Sequence, residues 1–197
     1  MEFTKVITKR RSRYDLTNQS TLSPEQLKKR LKEALLHTPS AYNAQGSRII
    51  LALNEHHDKI WDSVLETLQT RLDENRFAKT KLKIEGFKAA YGTILFFNDT
   101  DVIQTYQDKY PKYASKTETW SHQSHGMLQY VVWTTLADAN MGASLQHYNP
   151  IIDDAIQKVF KHPKSWKLTA QMPFGICHNA PKEKHFEPLD QRFKVFE

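Results

Sequence analysis

A lone cysteine, Cys177, excludes an intramolecular disulfide and any multi-cysteine zinc or iron–sulfur site. Glycine is scarce too, at six residues in 197, and neither G-x-G-x-x-G nor G-x-x-x-x-G-K-[S/T] occurs. Any phosphate site is therefore built from side chains rather than from a glycine-rich cradle. H-E-x-x-H and G-x-S-x-G are missing as well, which removes the usual marks of a zinc protease or a nucleophile elbow. No apolar run approaches the ~18 residues of a membrane span, and Met1–Thr8 lacks the continuous apolar stretch of a secretory leader. These absences predict a cytoplasmic protein with no membrane partner, in which Cys177 is a structural thiol.

What is present is the composition of a soluble globular chain: 39% hydrophobic, 25% charged, and one domain's length over residues 1–197. The 28 Lys and Arg against 22 Asp and Glu give a formal charge of +6. Such an excess attracts nucleic acid, anionic lipid or a small phosphorylated ligand. The basic residues are interspersed with acids, however, and no nucleic-acid motif or aromatic-basic platform accompanies them, so no nucleic-acid partner is expected.

Ser23-Pro24-Glu25-Gln26 reads as a helix start, with Ser23 as N-cap, Pro24 at the first helical position and Gln26 completing a capping box. Leu27, Leu31, Ala34 and Leu35 share its inner face, and Pro39 ends it, leaving residues 40–45 as a loop before a strand over 48–53. Ile60 to Leu72 predicts a second amphipathic helix that runs on through charged sequence to Ile84. Thr93–Phe97, apolar on both faces, predicts a central strand. A short helix and an excursion over 101–120 are followed by a long helix over about 121–140, with Gly142 as its C-cap. A short strand over 143–148, a helix begun by Asn149-Pro150 and a strand over 167–172 complete the order. Helices and strands in this order, with few hairpin signals, give an α+β or α/β sandwich. The tail, Arg192-Phe193-Lys194-Val195-Phe196, reads as extended and free to pair with a neighbour.

Two polar segments bracket the first capped helix. Lys9-Arg10-Arg11-Ser12-Arg13-Tyr14 offers guanidinium forks and a hydroxyl for a phosphate. Pro39-Ser40-Ala41-Tyr42-Asn43-Ala44-Gln45 offers amides and hydroxyls that suit a heteroaromatic ring. Together they point to a nucleotide-like cofactor. His122 and His125 have helical i, i+3 spacing, but no local acid or thiol joins them, so no metal is assigned. With no acid–base or nucleophile constellation visible, a cofactor is expected to carry the chemistry.

Arg10-Arg11-Ser12, the 39–45 segment, Gly142-Ala143-Ser144-Leu145-Gln146-His147-Tyr148 after the long helix, Gln171–Gly175 and the Arg192–Phe196 tail follow one another in an order that resembles the nitroreductase family of flavin-dependent oxidoreductases, closest to its compact, fatty-acid-repression-mutant-like branch. The resemblance implies an α+β, three-layer α-β-α sandwich around a mainly antiparallel sheet, dimeric, with exchanged C-terminal segments and FMN in interfacial clefts. It assigns Arg10, Arg11 and Ser12 to the flavin phosphate and ring edge, and Pro39, Ser40, Ala41, Asn43 and the adjacent Gln45 to a loop reaching in from the other subunit. Leu145, Gln146 and His147 match the segment passing the reactive ring edge, where a backbone N–H meets N5. Arg192, with Lys194, matches the basic position completing the phosphate grip. Trp120 and Gln123 are the acceptor-side candidates. Tyr14 stands where many relatives have a basic residue, and Gly46-Ser47 where many have Pro-Trp.

The implied activity is NAD(P)H-dependent reduction of nitroaromatics, quinones or similar electron-poor acceptors by a ping-pong cycle on FMN, with NADH or NADPH as donor, in a homodimer. The alternative is a flavin-binding redox sensor with little turnover.

Overall fold

The computed structural model describes residues 2–197; Met1, the first residue of the segment read for a leader, lies outside them. Its central sheet has four strands in the order β1-β2-β4-β3, every neighbouring pair antiparallel: β1 (Ser47–Leu53), β2 (Gly92–Asp99), β3 (Gly142–Ala143) and β4 (Trp166–Gly175). β2 is buried along its whole length because helices cover both faces. Its side chains divide by the two-residue period of a strand. Ile94 and Phe96 pack with Leu27, Leu31 and Ala34 of α2 (Pro24–His37) and with Leu128, Val132 and Leu136 of α6 (Ala114–Asp138). Leu95 and Phe97 face Ile60, Trp61 and Val64 of α3 (Glu55–Gln69), Ile84 and Phe87 of α4 (Glu74–Lys88), and Ile156 of α7 (Asp153–Phe160). The result is the expected three-layer α-β-α sandwich.

The β2–β4 register breaks at one point. Phe96 pairs with Ala170 and Phe97 with Leu168, which leaves Thr169 as an extra residue in β4. A one-residue insertion exchanges the faces of everything beyond it. Accordingly Leu168 packs with the α3 layer, while Ala170, Met172 and Phe174 pack with the α6 layer.

Several boundaries differ from the sequence reading. The capping box of α2 forms as expected, with Gln26 N–H donating to Ser23 Oγ and Ser23 N–H to Gln26 Oε1. The helix expected from Ile60 to Ile84 is two helices, because Asp73 caps a new start by accepting from Arg76 N–H at 3.0 Å. An additional helix, α1 (Phe3–Lys9), buries only Val6 and so carries no apolar stripe in the sequence. The long helix begins at Ala114, directly after α5 (Thr100–Lys109) and a single turn, so the expected excursion is short. It ends at Asp138 with Ala139 as its C-cap, and the left-handed residue Asn140 (φ 59°) turns the chain; Gly142 is a strand residue rather than a cap. The strand expected over 143–148 pairs continuously only over Gly142–Ala143, and the helix expected from Asn149-Pro150 starts at Asp153.

Candidate functional site

Backbone pairing places the Arg10–Arg13 segment against the β3 edge. Arg13 N–H donates to Ala143 O at 2.9 Å, and Ser12 forms a parallel bridge with Ala143. This close approach needs a residue without a side chain at position 142, where a Cβ would lie 2.8 Å from Arg13 Cβ and 2.7 Å from Cys177 Sγ. The chain then continues along the same edge. Ser144 N–H and Gln146 N–H turn inward to Pro173 O (3.3 Å) and Gln171 O (2.7 Å) of β4. By strand alternation the intervening Leu145 N–H points outward, to the side on which Ser12 and Arg13 lie. Gln146 is buried, its side-chain amide donating to Ser144 Oγ at 3.1 Å, whereas His147 is exposed.

The basic side chains here are unequally occupied. Arg13 binds the Asp15 carboxylate and Asn179 O, Arg11 binds Lys182 O, and Lys9 binds Asn140 Oδ1. The Arg10 side chain has no hydrogen-bond or ion-pair partner among the described residues, and its Nε is enclosed with no acceptor. Such an orphaned donor calls for an acceptor from outside the chain. A phosphate, with its several oxygens, is the chemistry that a free planar fork fits.

The loop over 39–45 lies at the opposite edge of the sheet, leading into β1. Three of its residues are non-glycine and left-handed: Tyr42 (φ 53°), Asn43 (φ 54°) and Gln45 (φ 51°). Such conformations persist only where surroundings impose them. Here Ser40 Oγ accepts from Gln45 N–H at 2.9 Å, Tyr106 O–H donates to Tyr42 O at 3.2 Å, and the Tyr42 ring stacks on Tyr110 at 4.6 Å. Trp120 closes the group, 6.0 Å from Tyr42. Between this loop, α5 and the start of α6 lies a narrow pocket, its apolar wall formed by Tyr42, Val102, Ile103, Tyr106 and Trp120. Among the described residues no charged side chain lines it. Gln123 faces an adjoining hollow with Ala41, Tyr42 and Trp120.

The structure thus pairs Ser12 and Arg13, which follow Arg10 and Arg11, with Ala143 on the edge that continues into Leu145, Gln146 and His147, and brings Trp120 and Gln123 to the 39–45 loop. It does not bring the two groups together within one chain. Arg192 and Lys194 lie in an exposed tail; Arg192 N–H closes the Leu189–Gln191 turn. Tyr110, from the aromatic excursion over 101–120, stacks on the loop, while Trp133, which lies under the Arg10 guanidinium at 4.5 Å, carries no sequence signal of a site role. The nearest to one for Trp133 is its i, i+3 spacing from Tyr130, which also lies under Arg10 at 5.9 Å.

Among the described residues no cluster of three or more His, Cys, Asp or Glu could hold a metal ion. His122 lies within 3.8 Å of Glu118 at the surface. His125 is buried and accepts from Ser47 O–H at 3.0 Å, while its Nε2–H donates to Thr169 Oγ1 at 2.6 Å. Burial, and secondarily the positive charge of His122, pushes its pKa down to about 4. Burial pushes the half-buried Cys177 thiol up, which suits a structural rather than nucleophilic group.

Residues 7–176 match the Nitroreductase family. Nitroreductase FRM2 of Saccharomyces cerevisiae is 30% identical over 183 residues, 91% of this chain and 90% of that protein. Nitroreductase CinD from Lactococcus lactis, solved in complex with chloramphenicol, superposes with a TM-score of 0.91 at 38% identity over 100% of both chains. The same protein solved with 4-nitrophenol gives a TM-score of 0.90 at 38% identity, again over 100% of each chain.

Proposed function

The chain belongs to the nitroreductase family, and on that basis we propose that it is an FMN-dependent oxidoreductase that uses NADH or NADPH to reduce nitroaromatics, quinones or similar electron-poor acceptors by a ping-pong cycle. The observation that supports the cofactor assignment is the Arg10 guanidinium, without a hydrogen-bond acceptor among the described residues, in the segment that Ser12 bridges to the β3 edge. When bound there, FMN supplies the redox chemistry that the chain's own side chains do not.

Arg10, Arg11 and Ser12 hold the phosphate, with Arg192 and Lys194 completing the charge. The backbone of Leu145, Gln146 and His147 lies along the flavin edge. Two copies build each cleft, with Pro39, Ser40, Ala41, Asn43 and Gln45 contributed by the second protomer of a homodimer. The placement of the two half-sites at opposite edges of one sheet supports that division. Trp120, Tyr42 and Gln123 line the acceptor side. Its uncharged aromatic wall suits flat neutral molecules such as 4-nitrophenol, with which the Lactococcus lactis protein was solved. No general acid or base is required of a side chain, consistent with His125 being sealed and neutral.

The visible spectrum of the purified protein, recorded anaerobically before and after NADH or NADPH, tests this. A flavin spectrum that bleaches supports the proposal; one that does not bleach favours the redox-sensor alternative. A colourless protein that takes up no FMN overturns it. The double variant Arg10→Ala with Arg11→Ala is expected to fold and to lose FMN, and stoichiometric FMN in that variant would show the phosphate assignment to be wrong.

A further inference from the structure

We propose that Trp133 is a positioning residue for the phosphate end of the cofactor, its indole face holding the Arg10 guanidinium as a pre-set planar fork; this role rests on the FMN reading of the site. Arg10 immediately follows α1 and has an extended backbone (φ −63°, ψ 118°) that donates its N–H to Val6 O at 3.0 Å, so the main chain is anchored while the side chain is long and rotatable. Its basic neighbours Lys9, Arg11 and Arg13 are each held by a hydrogen-bond acceptor of this chain. Arg10 is held instead by rings: Trp133 at 4.5 Å and Tyr130 at 5.9 Å.

The difference matters chemically. A carboxylate or carbonyl partner occupies the in-plane N–H groups of a guanidinium, the same groups that grip a phosphate. An aromatic face occupies only the π surface, and so orders the cation while leaving its donors free. Two donors in this contact, Arg10 Nε and Trp133 Nε1, are enclosed with no acceptor. Buried donors of this kind are seldom left unpaired. The pair is therefore organised for an anion that this chain alone does not contain.

Riboflavin lacks only the phosphate of FMN, so the ratio of the two affinities isolates the phosphate grip. Both are measured by quenching of flavin fluorescence on titration with apoprotein. Trp133→Leu is expected to weaken FMN about 3- to 30-fold while leaving riboflavin unchanged; Trp133→Phe, which keeps a ring face, recovers most of the loss. In an Arg10→Ala background, Trp133→Leu adds no further loss of FMN affinity, because the two residues act as one unit. Should Trp133→Leu fail to fold, Trp133→Met, closer to it in reach and flexibility, takes its place in the same cycle. An unchanged FMN-to-riboflavin ratio in the Trp133 variant, or additive losses in the cycle, would overturn the proposal while leaving the FMN reading intact. A wild type that does not distinguish FMN from riboflavin would instead bring down the phosphate assignment itself.

Discussion

Among individual residues, His125 shows how a hydrogen-bond network fixes a charge state. Thr169 O–H donates to Phe96 O at 3.0 Å, so Thr169 Oγ1 accepts from His125 Nε2–H, and Nδ1 is left to accept from Ser47. A neutral imidazole is fully paired in this network, and burial pushes the pKa from 6.5 to about 4. Between those values the unfolded chain binds a proton that the folded one refuses. Stability is therefore complete above pH 6.5 and falls as pH drops toward 4, by ~1.4 kcal/mol per pH unit and about 3 kcal/mol in all. His57 shifts in the same direction for the same reason, burial, so part of the acid sensitivity persists without His125. Urea unfolding of wild type and His125→Gln at pH 7, 5.5 and 4.5 checks this. The variant's stability should decline less steeply with acid, and parallel curves would refute the assignment.

Among the elements, the 39–45 loop is the least ordinary, since its left-handed residues lie under an aromatic clasp from Tyr106 of α5 and Tyr110 just beyond its end. An aromatic pair contributes roughly 0.5–1.5 kcal/mol beyond its buried area. Tyr110→Ala should therefore lower global stability by only about that amount while markedly speeding hydrogen exchange of the loop amides from Ala41 to Gln45; unchanged loop exchange would mean that the clasp does not hold the loop. The loop's position after Pro39 was legible because helix termination is local chemistry, and so was α2 with its Ser23 capping box. β2 was legible because burial on both faces leaves an uninterrupted apolar run. α1, with one buried residue, and the break at Asp73, with neither Gly nor Pro to mark it, were not. Within the candidate site, the order of polar segments singled out Arg10 and Ser12 as the proposed phosphate contacts. The Arg10–Trp133 stack was not legible, because contact across more than a hundred residues leaves no trace in spacing.

Over the whole molecule, the two half-sites and the exposed apolar side chains point to the same requirement. Phe186, Leu189, Phe193, Val195 and Phe196 of the tail all lie open, Phe196 with 94% of its surface exposed. Burying each stabilises by roughly 1.5–3 kcal/mol, together enough to offset much of the ~4–15 kcal/mol lost on association. A second copy can cover such residues and, in the proposed homodimer, also supply the 39–45 loop to each Arg10 edge. Complementation tests that arrangement directly. One variant carries Arg10→Ala and Arg11→Ala; the other carries Ser40→Ala and Asn43→Gly, the glycine retaining the left-handed backbone. Neither homodimer has an intact cleft, but a mixed dimer has one, formed by the second variant's Arg10 edge and the first variant's loop. Unfolding and refolding an equimolar mixture should yield roughly a quarter of the wild-type FMN sites, since half the dimers are mixed and each has one good cleft of two. If both halves of a cleft came from the same chain, every cleft in the mixture would carry one damaged half and no FMN would return.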